Sequence, residues 1–433
     1  MDIALIGFIC LLGLVFLRLP IAFAMGLVGL IGYAALGDWA FKPALTMAAI
    51  RTINTAQEYS LSVIPLFILM GNFVTRAGLS HELYHASHAF LGHRRGGLAM
   101  ATVVACGGFS AICGSSLATA ATMAKVAMPQ MRKYGYSDSL AAASIAAGGT
   151  LGILIPPSVI LVIYGIMTEQ SIRELFAAGL IPGILGILFY LAAVAYTVRR
   201  DPDSGPRGEK TSLQYKLKAL GGVWSTLMLF LVVMGGIYAG IFTPTEAAGI
   251  GAGSAFLIAL FRHTLNFKVL YEILSDTAKT TASLFAVIIG AMIFSNFVNR
   301  AGLPDDLLQF VTSMNLVPLA VIFLILLIYI LLGCVLESLS MLLLTVPAFF
   351  PLVQSLGFDL IWFGIVVVVV TEISLITPPV GLNIFVLSSV LPDVKTGTIF
   401  KGVTPFWCVD IVRLILITLI PALSLYLPHL LYR

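Results

Sequence analysis

Residues Gly148 to Ser158 read Gly-Gly-Thr-Leu-Gly-Ile-Leu-Ile-Pro-Pro-Ser, inside a run from Leu140 to Met167 that is otherwise as apolar as a membrane span. The glycines and the paired prolines remove side-chain restraint and amide donors, and they disfavour helix at the residue before each proline. In hydrocarbon the freed backbone groups need partners, so a broken helix persists only where it is buried in protein or lines a wet cavity. The stretch therefore marks an ion or substrate site. A second break follows near the C-terminus, Ser374 to Asn383, reading Ser-Leu-Ile-Thr-Pro-Pro-Val-Gly-Leu-Asn.

The surroundings are those of a membrane protein. Of 433 residues, 59% are hydrophobic and 10% charged, and the mean hydropathy is +1.04. These values exclude a soluble domain and imply a polytopic α-helical membrane protein. The net charge of +4 is small, and no basic patch interleaved with aromatics points to nucleic acid. The five cysteines (Cys10, Cys106, Cys113, Cys334, Cys408) lie in or beside apolar runs without metal-ligand spacing, as inert apolar residues do. Without a charged leader or a cleavage site, Ile3 to Leu17 reads as a retained first span.

In the first half, crossings are expected at Ile3 to Leu17, Ile21 to Leu36, Leu61 to Val74, the broken Leu140 to Met167, and Leu180 to Val198. Leu98 to Arg132 is different. Two apolar arms flank the small-residue knot Gly107-Gly-Phe-Ser-Ala-Ile-Cys-Gly-Ser-Ser116, with Arg94 and Arg95 before them and Arg132 and Lys133 after. Basic residues at both ends on one side predict a re-entrant hairpin. A hydrophilic linker, Arg199 to Lys218, follows, and then the pattern begins again. Asn72-Phe-Val-Thr-Arg-Ala-Gly-Leu79 returns as Asn296-Phe-Val-Asn-Arg-Ala-Gly-Leu303, and Pro20, Pro129 and Pro156-Pro157 pair with Pro244, Pro351 and Pro378-Pro379. The spacing stays near 223 residues. The second half thus has its own hairpin, Val317 to Val353, with Gly333-Cys-Val-Leu-Glu-Ser-Leu-Ser340 at the tip, its own broken helix, and a last span from Phe406 to Tyr426.

The expected fold is therefore an all-α polytopic membrane protein of two repeats, 1–198 and 219–433, joined by the linker 199–218. An odd number of crossings per repeat makes the two inverted. Most of the 24 Lys and Arg fall on the linker side, whereas Lys42, Arg51, Arg173, Arg300 and Arg433 fall on the other. The linker is then cytoplasmic and both termini are outside. Ala40 to Tyr59 and His263 to Thr281, too polar to span, are expected as interfacial amphipathic helices.

At Gly114-Ser-Ser-Leu-Ala-Thr-Ala-Ala-Thr, Met128-Pro-Gln-Met, Gly149 to Ser158, Phe242-Thr-Pro-Thr-Glu-Ala-Ala248 and Thr377-Pro-Pro-Val-Gly-Leu-Asn383, the chain resembles the large membrane subunit of TRAP (tripartite ATP-independent periplasmic) transporters. The resemblance spans essentially the whole chain. It implies a bacterial inner-membrane, elevator-type secondary transporter that takes organic acids from a periplasmic binding protein and is driven by sodium. It also implies a small four-helix membrane subunit, expected here as a separate polypeptide. C4-dicarboxylates, sialic acid or other sugar acids, and keto acids all remain open as substrates.

Sodium needs several hard oxygen ligands, which broken helices supply as freed carbonyls together with Ser and Thr hydroxyls. One site is expected at Ser110, Gly114, Ser115, Ser116, Thr150, Gly152 and Pro156, and the other at Gly333, Glu337, Ser338, Thr377, Pro378 and Gly381. Small residues also let helices pack closely, but packing does not call for paired prolines at matched positions. An organic anion is expected between the sites, facing the half-helices after Pro157 and Pro379 with Ser158 and Asn383 as donors. No arginine lies in either break, so co-bound sodium would compensate its charge.

Other polar residues have simpler readings. Thr243-Pro-Thr-Glu246 reads as a capping box, Asp410 and Arg413 as a pair one turn apart, and Lys125 as a side chain that snorkels or binds a carbonyl. Glu372, just before the second break, could be a ligand, a proton site or a buried partner. His81-Glu-Leu-Tyr-His85 has zinc-hydrolase spacing, yet it lacks a counterpart in the second repeat and is far in sequence from both breaks. Zinc and an enzyme are not expected, and a solvated helix is. A channel is the other rival, but paired hairpins suit an occluded site with alternating access. The mobile carrier is expected at about 98–167 and 317–391, sliding against a scaffold made of the rest.

Overall fold

The computed structural model describes residues 2–314 and 316–432; Arg433, counted above on the side away from the linker, lies outside them. The described residues are helical throughout, without a strand. The first half contains α1 (Asp2–Phe16), α2 (Ile21–Ala35), α3 (Phe41–Gln57), α4 (Val63–Arg76), α5 (Leu79–Leu91), α6 (Gly97–Cys113), α7 (Ser116–Lys133), α8 (Asp138–Thr150), α9 (Val159–Thr168) and α10 (Ile172–Arg200). The second contains α11 (Leu213–Tyr238), α12 (Pro244–Phe261), α13 (Phe267–Arg300), α14 (Leu303–Ser313), α15 (Pro318–Gly333), α16 (Ser338–Ser355), α17 (Leu360–Ser374), α18 (Leu382–Val390), α19 (Thr396–Leu419) and α20 (Ala422–Tyr432). Seven helices among the described residues are long and apolar enough to cross a membrane.

The helices fall where sequence punctuation puts them. Ser137 and Asp359 cap α8 and α17 by accepting backbone N–H bonds. Thr243 and Glu246 form the expected capping box at the start of α12. Both hairpins are present as α6–α7 and α15–α16, and both breaks as the gaps between α8 and α9 and between α17 and α18.

Packing partners exchange between the halves. α2 lies along α13 and α4 along α12; α8 packs on α19 and α17 on α10; α7 meets α18 and α16 meets α9. Such exchange is what a two-fold relation between similar halves requires. The apolar helices leading into the breaks form the centre: α17 is buried along its whole length, and α8 from Leu140 to Thr150. A helix that is hydrophobic all round is stable only in such a position.

Four boundaries differ from the sequence reading. The linker is shorter than 199–218, because α10 runs to Arg200 and α11, capped by Ser212, begins at Leu213. His263 to Thr281 is not a separate helix but runs without interruption into the next span as the 34-residue α13. In the first half Glu58 caps a short turn and Pro65 sits in the first turn of α4, so the chain breaks there. The matching stretch, Thr281 to Ile288, holds no breaker. The last span does not reach Tyr426. Pro421 cannot donate and disfavours helix at Ile420, so α19 stops at Leu419 and α20 begins anew. At the fifth span, Ser171 caps a helix that starts at Ile172 rather than Leu180.

The linker is held down by backbone bonds. Gly96 N–H donates to the Gly205 carbonyl at 2.9 Å and Gly208 N–H to the Gly92 carbonyl at 3.0 Å. The end of α5 and the start of α6 therefore share one face of the molecule with it.

Candidate functional site

Each hairpin turns on a capped tip. In the first, Gly114 takes a left-handed conformation (φ 63°) and its N–H donates to the Ser110 carbonyl at 3.1 Å. The Ser115 hydroxyl then caps α7, accepting from Ala118 N–H at 3.4 Å. In the second, Glu337 holds the matching place. Its carboxylate caps α16, accepting from the Ser340 N–H and hydroxyl at 3.2 Å each and from the Ser338 hydroxyl at 3.3 Å.

Both tips are pressed onto their breaks. A Cβ on Gly152 would lie 2.8 Å from the Ser115 carbonyl oxygen, and one on Gly114 2.9 Å from the Pro157 carbonyl oxygen, so these backbones meet only because both residues are glycine. In the second half a Cβ on Gly333 would collide with the Ser374 hydroxyl, and the Cys334 thiol donates to the Pro378 carbonyl at 3.2 Å. The Pro156-Pro157 and Pro378-Pro379 peptide bonds are both cis.

The first group of expected ligands is thus brought together around Gly114, Ser115, Ser116, Gly152 and Pro156. Ser110 is buried within it, and among the described residues its hydroxyl has no hydrogen-bond partner; neither has that of Thr119, one turn inside α7. Unpartnered buried hydroxyls beside turned backbone suit a hard cation such as sodium. Thr150 is engaged elsewhere: its hydroxyl donates to the Ala147 carbonyl at 2.7 Å and lies 3.0 Å from the Tyr190 hydroxyl. In the second group Thr377 donates to the Ile373 carbonyl at 2.6 Å and accepts from Trp407 Nε1 at 2.9 Å. Gly381 turns left-handed (φ 59°) to start α18.

Of the residues expected to face an anion, Ser158 closes the first break. It donates to the Ile153 carbonyl and caps α9 by accepting from Leu161 N–H at 3.3 Å. Asn383 reaches the other half of the chain, donating to the Ala146 carbonyl at 3.1 Å, while its Oδ1 stays buried and unpartnered.

A cavity of about 400 Å³ opens between the tips. Its walls include Asn72 of α4, Ser115 and Ser116, Thr280 of α13, and Glu337 and Ser338. Three helices begin at its wall, α7 at Ser116, α9 at Val159 and α16 at Ser338; the first two are capped by the Ser115 and Ser158 hydroxyls, so their N-terminal partial charges favour an anion, whereas the Glu337 carboxylate already occupies the third. No Lys or Arg lines it. Asn72, Thr119, Thr280 and Trp407 escaped the sequence reading because each sits on a helix whose contacts are set only by packing.

Behind the breaks lies a buried charge cluster. Arg413 of α19 pairs with Asp410 at 3.0 Å, as the sequence spacing predicts, and also with Glu372 of α17. Tyr190 of α10 donates to Asp410 and contacts Thr150. All three charged side chains are fully buried, so Glu372 is a structural partner that ties α17 to α19.

At the HExxH match, the His81 and His85 rings lie 4.5 Å apart between centroids, tilted by 51°, but Glu82 is occupied. It accepts two bonds from Arg262, at 2.8 and 2.9 Å. No group of three or more His, Cys, Asp or Glu that could hold a metal ion occurs among the described residues.

Paired hairpins pressed onto paired broken helices around a shared cavity define a polytopic membrane transporter. Residues 8–423 match the family model of the tripartite ATP-independent periplasmic transporter DctM component, and the chain belongs to that family. It is 37% identical over 383 residues to the C4-dicarboxylate TRAP transporter large permease protein DctM of Pseudomonas aeruginosa, covering 88% of this chain and 89% of that one. It is 32% identical over 424 residues to the sialic acid TRAP transporter large permease protein SiaM of Vibrio cholerae, covering 97% of each. Among solved structures, the YdaH transporter of Alcanivorax borkumensis aligns with a TM-score of 0.65 over 90% of both chains at 14% identity, a likeness of fold. The chain is therefore a transport subunit rather than an enzyme.

Proposed function

We propose that this chain carries an organic carboxylate across the bacterial inner membrane, coupled to sodium, by an elevator movement. The single observation that carries this reading is the cavity walled by both hairpin tips, the first break, and α4 and α13. Two helix N-termini there, those of α7 and α9, attract an anion, and sodium ions at the tip-and-break contacts supply the positive charge that the missing Lys and Arg do not. Ser110, Thr119 and the backbone around Gly114 and Gly152 would hold one ion. Glu337, Ser338 and the backbone from Thr377 to Gly381 would hold the other.

The relatives named for a C4-dicarboxylate and for sialic acid both move acids, which supports the substrate class without choosing within it. A separate small membrane subunit and a periplasmic binding protein complete the transporter. The linker faces the cytoplasm and the termini the periplasm, by the bias of Lys and Arg.

The moving part extends beyond 98–167 and 317–391 to include α10 and α19. Sliding α17 past α19 would pull Glu372 from Arg413 in a fully buried setting, and a buried pair broken in this way costs about 3–5 kcal/mol. α19 therefore travels with the breaks, and α10 goes with it through Tyr190. The scaffold is then α1 to α5 and α11 to α14.

The test is uptake by proteoliposomes holding this chain and its small subunit, with binding proteins loaded with succinate, sialic acid or a keto acid. A sodium gradient should drive uptake of one of them only when its binding protein is present. Sodium-independent uptake would overturn the coupling, and uptake without a binding protein would make the chain a stand-alone carboxylate carrier.

A further inference from the structure

A second polar cavity, of about 500 Å³, lies along α7 toward the linker side. Asn72, Thr75 and Arg76 of α4, Thr122 and Lys125 of α7, and Asp276 of α13 line it. Asn72 also lines the cavity between the hairpin tips, so the two are neighbours along one helix pair. From Ser116 at the first cavity to Lys125 at the second, α7 rises about 13 Å.

Lys125 is unusual in this setting. It is exposed, in the middle of a hairpin arm, and has no hydrogen bond or ion pair among the described residues. It therefore neither binds a carbonyl nor pairs with Asp276, the carboxylate that faces the same space. Arg76 gives one bond to Glu272 at 3.1 Å. The pore-side face of α7 thus presents Ser116, then Thr122, then a free ammonium, a series of donors leading away from the site.

We propose that this cavity is a relay for the carboxylate of the transported acid, in which Lys125 takes the anion as it leaves the hairpin tips on the linker side. Thr122 and the second N–H of Asn72 donate hydrogen bonds along the way, and Asp276 keeps the hold weak enough for release. The proposal rests on the carboxylate reading above. Lys125 is specific to passage of the anion from the tips to the linker side, whereas Ser116 and Glu337 belong to the tips themselves.

The experiment uses the complete transporter in proteoliposomes, with whichever of succinate and sialic acid the unaltered protein takes up. Lys125→Gln should lower the maximal rate about fivefold, the scale of one solvated charge pair, while sodium-dependent equilibrium binding of the same acid stays within about twofold. Lys125→Arg should keep the rate. Lys125→Cys should regain it after a thiosulfonate that attaches an ethylammonium group, and not after one that attaches an ethylsulfonate. An unchanged rate in Lys125→Gln, or equal losses of rate and binding, would overturn the relay. Absence of any carboxylate uptake by the unaltered protein would overturn the carboxylate reading and the relay together.

Discussion

Replacing Gly71 by cysteine places a thiol against the native Cys113 and so ties α4 to the tip of the first hairpin. A Cβ at Gly71 would lie 3.4 Å from the Cys113 Cα and 3.3 Å from its carbonyl oxygen. That approach is tight by a few tenths of an ångström, and it brings the two residues within the short Cα separation that a disulfide needs, below about 7 Å. Any slide that carries the hairpin tip farther than this from α4 is blocked once the bond forms. The assay is sodium-driven uptake into proteoliposomes before oxidation, after it, and after reduction with dithiothreitol. Uptake should fall in proportion to the oxidised fraction and return on reduction. Gly71→Ala separates the steric effect, and Gly71→Cys with Cys113→Ser should not respond to oxidation. A bond made inside the moving part, between Ser139→Cys on α8 and Thr398→Cys on α19, where the Ser139 hydroxyl donates to the Thr398 carbonyl at 3.2 Å, should leave uptake intact. Full uptake by protein cross-linked at 71 and 113 would refute the sliding carrier.

Arg413→Met strands Glu372 and Asp410 in a fully buried site and should destabilise the protein by about 3–5 kcal/mol, read as a drop in detergent unfolding temperature; adding Glu372→Gln and Asp410→Asn should restore most of it. Gly152→Ala drives a methyl into the Ser115 carbonyl, an overpacking cost of about 1–3 kcal/mol, and should raise the sodium concentration for half-maximal uptake about tenfold or more. Unchanged sodium dependence would remove Gly152 from the ion site. On α5, burial, together with the charge of a neighbouring histidine, holds His85 and His88 below the ordinary histidine pKa. Both are therefore folded in the neutral form, so their contribution is present above the unfolded pKa of about 6.5 and is lost as pH falls below it. Thermal stability should decline on acidification through that range, and His85→Gln with His88→Gln should flatten the decline.

Much of the architecture was legible because membrane folding leaves few choices. Paired prolines inside apolar runs have one physical meaning in hydrocarbon, and the matched spacing of Pro156-Pro157 and Pro378-Pro379 exposed the second break and the second hairpin. The boundaries misread, at α13 and α19, are places where a polar or apolar average says little and a single proline, Pro65 or Pro421, decides. Of the site, the glycines could be named because broken helices free backbone carbonyls; that Gly114 and Gly152 also let the two backbones touch came from the fold. Ser115 and Glu337 could be placed at the tips, but their capping of α7 and α16 needed coordinates.

By itself, the order of residues determined the membrane class, the two hairpins and the two breaks, since each follows from local backbone chemistry. Only the tertiary structure decided which distant helices share a partner. Arg413 sits three residues from Asp410, so their pairing was visible, but its bond to Glu372 crosses from α19 to α17 and depends on packing. The same holds for Tyr190 against Thr150, for Trp407 against Thr377, and for Asn72 and Lys125 along the cavities. Periodicity shows that a helix has a buried face, but long-range packing selects what that face meets.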